Sequence, residues 1–192
     1  MAYIRAIIDY LQISENIDPA RVYATGISNG GFMSYRLACE LSDKIAGVAP
    51  VTANLSVDLE AFCAPSQPVK MLIINGTDDP LVPYDGGEVS LPGGIGRGEI
   101  RSTDETLAFW AAHNGCSGDP VVVDEPKRAW LDRTRLQSTT LVGCDAPVKL
   151  LAVINGGHTW PGGFQYLPVG LVGRTSRDID ASQVIWEFFA AP

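Results

Sequence analysis

The stretch RVYATGISNGGFMSYRLACEL, residues 21–41, decides how this chain is read. An apolar run from Val22 to Ile27 stops at Ser28, and an amphipathic run begins directly after it. The first reads as a short strand. Met33, Leu37 and Leu41 recur every fourth residue and read as one face of a helix. Ser28 therefore lies on a strand-to-helix turn, between Gly26 and the pair Gly30-Gly31, whose missing side chains let the two elements pack closely. In that context Gly-x-Ser-x-Gly is a mount for a nucleophile. Outside it, the same residues are a glycine-rich turn that contains a serine, so the rest of the chain has to choose.

Working outward, Ile4, Ile7, Ile8 and Leu11 fall on one face of a helix, and Asp18-Pro19 turns the chain toward the first strand. Further apolar strands are expected around residues 45–51, over VKMLIING at 69–76 and over VKLLAVING at 148–156. Ser102 and Glu105 offer a capping box to a helix over 102–114, with Leu107 and Trp110 on one face and Asn114-Gly115 as its stop. VVVDEP and TRLQSTTLVG, within 121–143, suit a hairpin inserted before the fourth strand. A last helix starts at Asp180, with Val184, Ile185, Phe188 and Phe189 as its apolar face. Short strands alternating with helices predict an α/β domain whose mostly parallel sheet is flanked by helices. At 192 residues one domain over 1–192 is expected.

Composition narrows the function classes. A hydrophobic content of 46% with 19% charged residues is that of a globular core, not of a disordered chain. The net charge of -8 provides no basic stripe for nucleic acid and disfavours anionic membranes. No apolar run is long enough to span a bilayer, and Arg5 and Asp9 interrupt any signal-peptide core near the start. Cys39, Cys63, Cys116 and Cys144 suit either two disulfides or four buried thiols. With no C-x-x-C pair and two histidines, no metal site is expected. GGEVSLPGGIGRGE, residues 86–99, lacks the tight strand-to-helix setting of a dinucleotide fingerprint and reads as a loop near a binding cleft. No cofactor is expected.

A serine nucleophile needs a base, and the base an orienting carboxylate. In doubly wound sheets such groups emerge on loops at the C-terminal ends of strands. Ser28 follows the first strand, Asp79 the third and His158 the fourth, which puts all three on one edge of the sheet in the order serine, acid, histidine. Asp79 is preferred over Asp78 and Asp85 because Pro80-Leu81-Val82-Pro83 fixes the direction of its loop. His158, in a glycine-flanked loop, is preferred over His113, which sits near a helix end. Trp160 either lines the cleft or packs beneath the loop.

With these residues in hand, the chain resembles the polyhydroxybutyrate depolymerase and feruloyl esterase family of α/β-hydrolases. The matching segments are RVYATGISNGGFMSYRLACE, INGTDDPLVPYDGG, GGHTWPGG and GRTSRDIDASQVIWEFF, nearly end to end. The resemblance implies Ser28 as nucleophile, Asp79 as orienting acid and His158 as base. It implies cofactor-free hydrolysis of hydroxyalkanoate, hydroxycinnamoyl or acetyl esters. Family members are usually exported, which favours an extracellular setting and disulfides, with Cys39–Cys63 and Cys116–Cys144 as the suggested pairs. The alternative is a catalytically weak or inactive remnant that binds polyester or polysaccharide esters.

One departure from the family stands out. Only 27 residues precede Ser28, so the earlier strands and their oxyanion loop have no counterpart. The Asn29 backbone N–H serves as one oxyanion donor and the second is missing, a loss that typically costs about a hundred- to a thousandfold in rate. The same absence leaves the nucleophile strand with an open edge. Either a homodimer through that edge or a truncated piece of a longer protein is expected.

Overall fold

The structure, a computed structural model, describes residues 1–91 and 95–191; Pro92-Gly93-Gly94, within the glycine-rich segment 86–99, lie outside them. A six-stranded sheet runs in the order β1-β2-β3-β8-β7-β6. Its parallel part is β1 (Tyr23–Ile27), β2 (Gly47–Val51), β3 (Lys70–Gly76) and β8 (Val148–Ile154). The expected hairpin is present as β6 (Gly118–Asp124) and β7 (Arg135–Val142), which extend the sheet antiparallel beyond β8.

Period-two alternation buries both faces of the central strands β2, β3 and β8. Met71, Ile73, Leu150 and Ala152 enter one core, while Leu72, Ile74, Leu151 and Val153 enter the other. That is why 70–76 and 148–154 read as unbroken apolar runs. The first core is covered by α1 (Ala2–Ser14), α2 (Asn29–Glu40) and α4 (Thr103–His113), with Ile8, Tyr35 and Trp110 inside it; the single-turn α3 (Val57–Glu60) follows β2 and the single-turn α5 (Val169–Val172) follows β8. The second is covered by α6 (Ala181–Ala190), through Ile185 and Phe189.

The predicted caps form. Ser102 and Glu105 make a reciprocal capping box on α4, and the Asp180 carboxylate accepts from the Ser182 and Gln183 N–H groups. Cys39 is bonded to Cys63 and Cys116 to Cys144. Two sequence expectations change. Met33 is 41% exposed, whereas Leu37 and Leu41 are buried as expected; the buried face of α2 also takes in Gly31, Ser34, Tyr35, Ala38 and Cys39, small residues among them letting the helix lie close to the sheet. Residues 86–99 are not an irregular loop but contain a hairpin, β4 (Gly87–Leu91) with β5 (Ile95–Ile100), whose glycines hide the strand alternation. Val89 and Ile100 pack it on Val82 and Phe32.

Candidate active site

The turn after β1 is held in an uncommon geometry. Ser28 has φ 55° and ψ -117°, a region that L-residues rarely occupy. Its N–H donates to Val51 O at 2.9 Å, and its carbonyl accepts from Phe32 N at 2.9 Å. Glycine is required on both sides of it. A Cβ on Gly26 would stand 2.7 Å from the Gly30 backbone, and one on Gly31 would stand 2.6 Å from the Ala53 Cβ. Ser28 thus projects from the C-terminal edge of the sheet at the start of α2. The Asn29 N–H belongs to the first turn and has no intrahelical acceptor.

The loop after β3 fixes Asp79, which is buried. Its Oδ1 accepts from Leu81 N at 2.8 Å and from Val82 N at 2.9 Å. Its Oδ2 accepts from His158 Nδ1 at 2.8 Å. Both oxygens are committed, so the carboxylate cannot rotate. Asp78 is exposed and accepts from the Thr77 hydroxyl instead.

His158 follows β8, one strand over, and is equally buried. Its N–H donates to Val172 O at 2.6 Å, and its carbonyl accepts from the Tyr166 hydroxyl at 2.9 Å. With Nδ1 on Asp79, Nε2 is the ring nitrogen left free. Burial, followed by the charge of Asp79, pushes the Tyr166 phenol up, which keeps it protonated and donating. Ser28, His158 and Trp160 line one cavity of about 580 Å³. Among the described residues no hydrogen bond joins the Ser28 hydroxyl to His158; such bonds are often long before substrate binds.

Trp160 lines the cavity, and its Nε1 donates to Ser182 Oγ at 3.2 Å, tying the loop to α6. His113 is remote from the site, near Gln67 and edge-on to Trp110. Tyr166 was not legible in the sequence, because the segment 161–175 has no periodicity to place it. The same holds for Arg97, which reaches a second cavity at Ser28 from the hairpin. Among the described residues no three His, Cys, Asp or Glu side chains are gathered as metal ligands.

Known proteins share this framework. Over 195 residues the chain is 34% identical to the candidate esterase NocK of Nocardia uniformis subsp. tsuyamanensis, covering 97% of this chain and 56% of that one. It is 29% identical over 192 residues to feruloyl esterase C of Emericella nidulans, covering 100% of this chain and 57% of the relative. The chain is similar to these esterases along nearly its whole length. It spans little more than half the length of these relatives, 56% and 57%. Acetyl xylan esterase from Aspergillus awamori is similar in structure, with a TM-score of 0.58 at 15% identity, covering 98% of this chain and 67% of that one, which speaks for the fold alone. No family model matches the chain.

Proposed function

We propose that the chain is a serine ester hydrolase. Ser28 Oγ attacks the ester carbonyl as its proton passes to His158 Nε2, and Asp79 holds the ring in the tautomer that can accept it. The C–Oγ bond forms, the oxyanion turns toward the Asn29 N–H, and collapse breaks the bond to the alkoxy oxygen. That oxygen takes the proton from His158 Nε2. Water, deprotonated by the same nitrogen, then releases the acid and restores Ser28. No step draws on a cofactor.

The observation that carries this reading is the buried 2.8 Å contact between His158 Nδ1 and Asp79 Oδ2, beside a serine kept at φ 55° in the same cavity wall. A binding site has no need of that combination. Substrates are sought among feruloyl, acetyl and hydroxyalkanoate esters, with Trp160 as part of the substrate wall. The two disulfides favour an oxidising, extracellular setting. We further propose that two copies pair through the open edge of β1.

Hydrolysis of p-nitrophenyl acetate and butyrate by the purified chain, beside Ser28→Ala, tests the reaction. Turnover by the parent and its loss in the variant are expected. A folded but silent parent that also fails to react with a fluorophosphonate overturns the esterase reading and leaves ester binding without hydrolysis.

A further inference from the structure

The loop that carries His158 is held on a neighbouring segment of chain. His158 N donates to Val172 O at 2.6 Å, Gly157 N to Arg174 O at 2.9 Å and Gly162 N to Ser176 O at 2.8 Å. The Thr159 hydroxyl adds a bond to Arg174 O at 3.1 Å. The backbone of His158 therefore stands wherever 172–176 stands. Residues 173–178 form no helix or strand beyond a bridge from Arg174 to Gly156, so side-chain bonds have to fix them.

Those bonds come from the connection between β6 and β7, residues 125–134. Lys127 Nζ lies between two carboxylates, 2.7 Å from Asp132 Oδ1 and 2.9 Å from Asp178 Oδ2. The remaining oxygens are committed across the same junction. Asp178 Oδ1 accepts from Arg128 N at 2.8 Å and Ala129 N at 2.7 Å, and Asp132 Oδ2 accepts from Arg177 N at 2.6 Å. Thr134 Oγ1 donates to Ser176 Oγ at 2.9 Å, and Asn155 Nδ2, three residues before His158, donates to Arg133 O at 3.2 Å. The Lys127, Asp132 and Asp178 side chains are only 16%, 9% and 2% exposed. Desolvation works against the Lys127 charge, but the hydrogen bonds to Asp132 and Asp178 outweigh it and the ammonium stays protonated. Without that ammonium, two buried carboxylates repel each other across the junction, one on each side of it. Lys127 itself lines neither cavity at Ser28, so substrate does not meet it.

We propose that Lys127 is a positioning residue for the reaction. It locks the β6–β7 connection onto segment 174–178, and through that segment sets where the His158 imidazole stands between Asp79 and Ser28. This rests on the serine-esterase reading above. A displacement of about 1 Å in such a group costs about a hundredfold in rate, and it falls on kcat more than on KM because the cavity walls are not touched.

The test compares three variants. Lys127→Met keeps the stem and removes the ammonium, and Lys127→Arg keeps the charge. Ile8→Ala truncates the core under α1, which destabilises the fold without reaching the His158 loop. Rates on p-nitrophenyl butyrate are taken per active serine, titrated to completion with a fluorophosphonate, so that any loss of folded protein cancels. Lys127→Met should lower kcat about ten- to a hundredfold with KM little changed. Lys127→Arg should recover most of that loss, and Ile8→Ala should leave kcat in place. Proton NMR reads the same geometry without substrate: the downfield resonance of the His158 Nδ1 proton held by Asp79 should broaden in Lys127→Met and stay sharp in Ile8→Ala. Should Lys127→Met not fold, Asp178→Asn takes its place. It keeps an acceptor for the Arg128 and Ala129 N–H groups and removes one charge from the cluster, and the same pattern at reduced size is expected. A kcat per serine unchanged from the parent, or an equal fall in Ile8→Ala, makes the cluster a stabilising one only and overturns the proposal. A parent that hydrolyses no ester overturns the reading beneath it, and the resonance then still decides whether Lys127 holds His158.

Discussion

At the scale of single residues, the site depends on a carboxylate with no freedom left. Asp79 binds two backbone N–H groups through Oδ1 and the imidazole through Oδ2. Asp79→Asn keeps an acceptor for Leu81 and Val82 but offers His158 an amide N–H, which selects the wrong tautomer. We expect an unchanged far-UV spectrum and a fall in kcat of about three to four orders of magnitude on p-nitrophenyl butyrate. A drop below tenfold would remove Asp79 from its orienting role. A second residue-scale prediction concerns Tyr84, whose phenol is pushed up to about 12 by burial, with Asp104 and Asp85 adding to it. The native state then holds this proton more tightly than the unfolded chain, so the stabilisation is complete below pH of about 10 and is lost as pH rises toward 12. Urea unfolding followed through that window should show a shallower decline in Tyr84→Phe than in the parent. Ser28, Asp79 and His158 were legible as candidates because each directly follows an apolar strand. The brace from Tyr166 to His158 was not, since it depends on where an aperiodic loop folds back.

At the scale of elements, the turn between β1 and α2 is set by two glycines rather than by helix propensity. The position of Gly31 faces Ala53 Cβ, Val51 O and Gly26 O, and none of these is the far end of a flexible side chain. Gly31→Ala should therefore destabilise the fold by about 2 kcal/mol, despite the better helix propensity of alanine. Chemical denaturation measures it, and a gain in stability would mean that α2 can slide on the sheet. Four-residue spacing placed Leu37 and Leu41 correctly and misjudged Met33, because the buried face of α2 also includes Gly31, Ser34 and Ala38, which a count of large apolar side chains passes over. The capping box on α4 was legible because Ser102 and Glu105 act locally. The hairpin of β4 and β5 was not, because glycines at 87, 96 and 98 interrupt the alternation that marks a strand.

At the scale of the whole molecule, the unresolved tension is the edge of the sheet. Val22 O accepts from Ala46 N and Ser28 N donates to Val51 O, so the even-numbered backbone groups of β1 face β2. By strand alternation, the N–H and C=O groups of Tyr23, Thr25 and Ile27 point away from the sheet with no neighbouring strand among the described residues. Among the described residues β1 is the first strand in chain order and stands outermost at one side of the sheet. Beside it, Tyr23, Ile185, Trp186 and Phe189 form an apolar groove, and α1 exposes Tyr3, Tyr10 and Ile13. An open edge flanked by apolar surface is a template for pairing. A two-fold axis at Thr25 sets Tyr23 of one copy opposite Ile27 of the other and completes both ladders without burying a charge from β1. Light scattering at tens of micromolar should therefore report twice the mass of one chain, falling toward one on dilution. Thr25→Lys, which places like charges on the axis, should favour the single chain while sparing the contacts of Ser28 to Val51 and Phe32. A monodisperse single chain at all concentrations would overturn pairing through β1 and mean that the groove and the strand edge tolerate water.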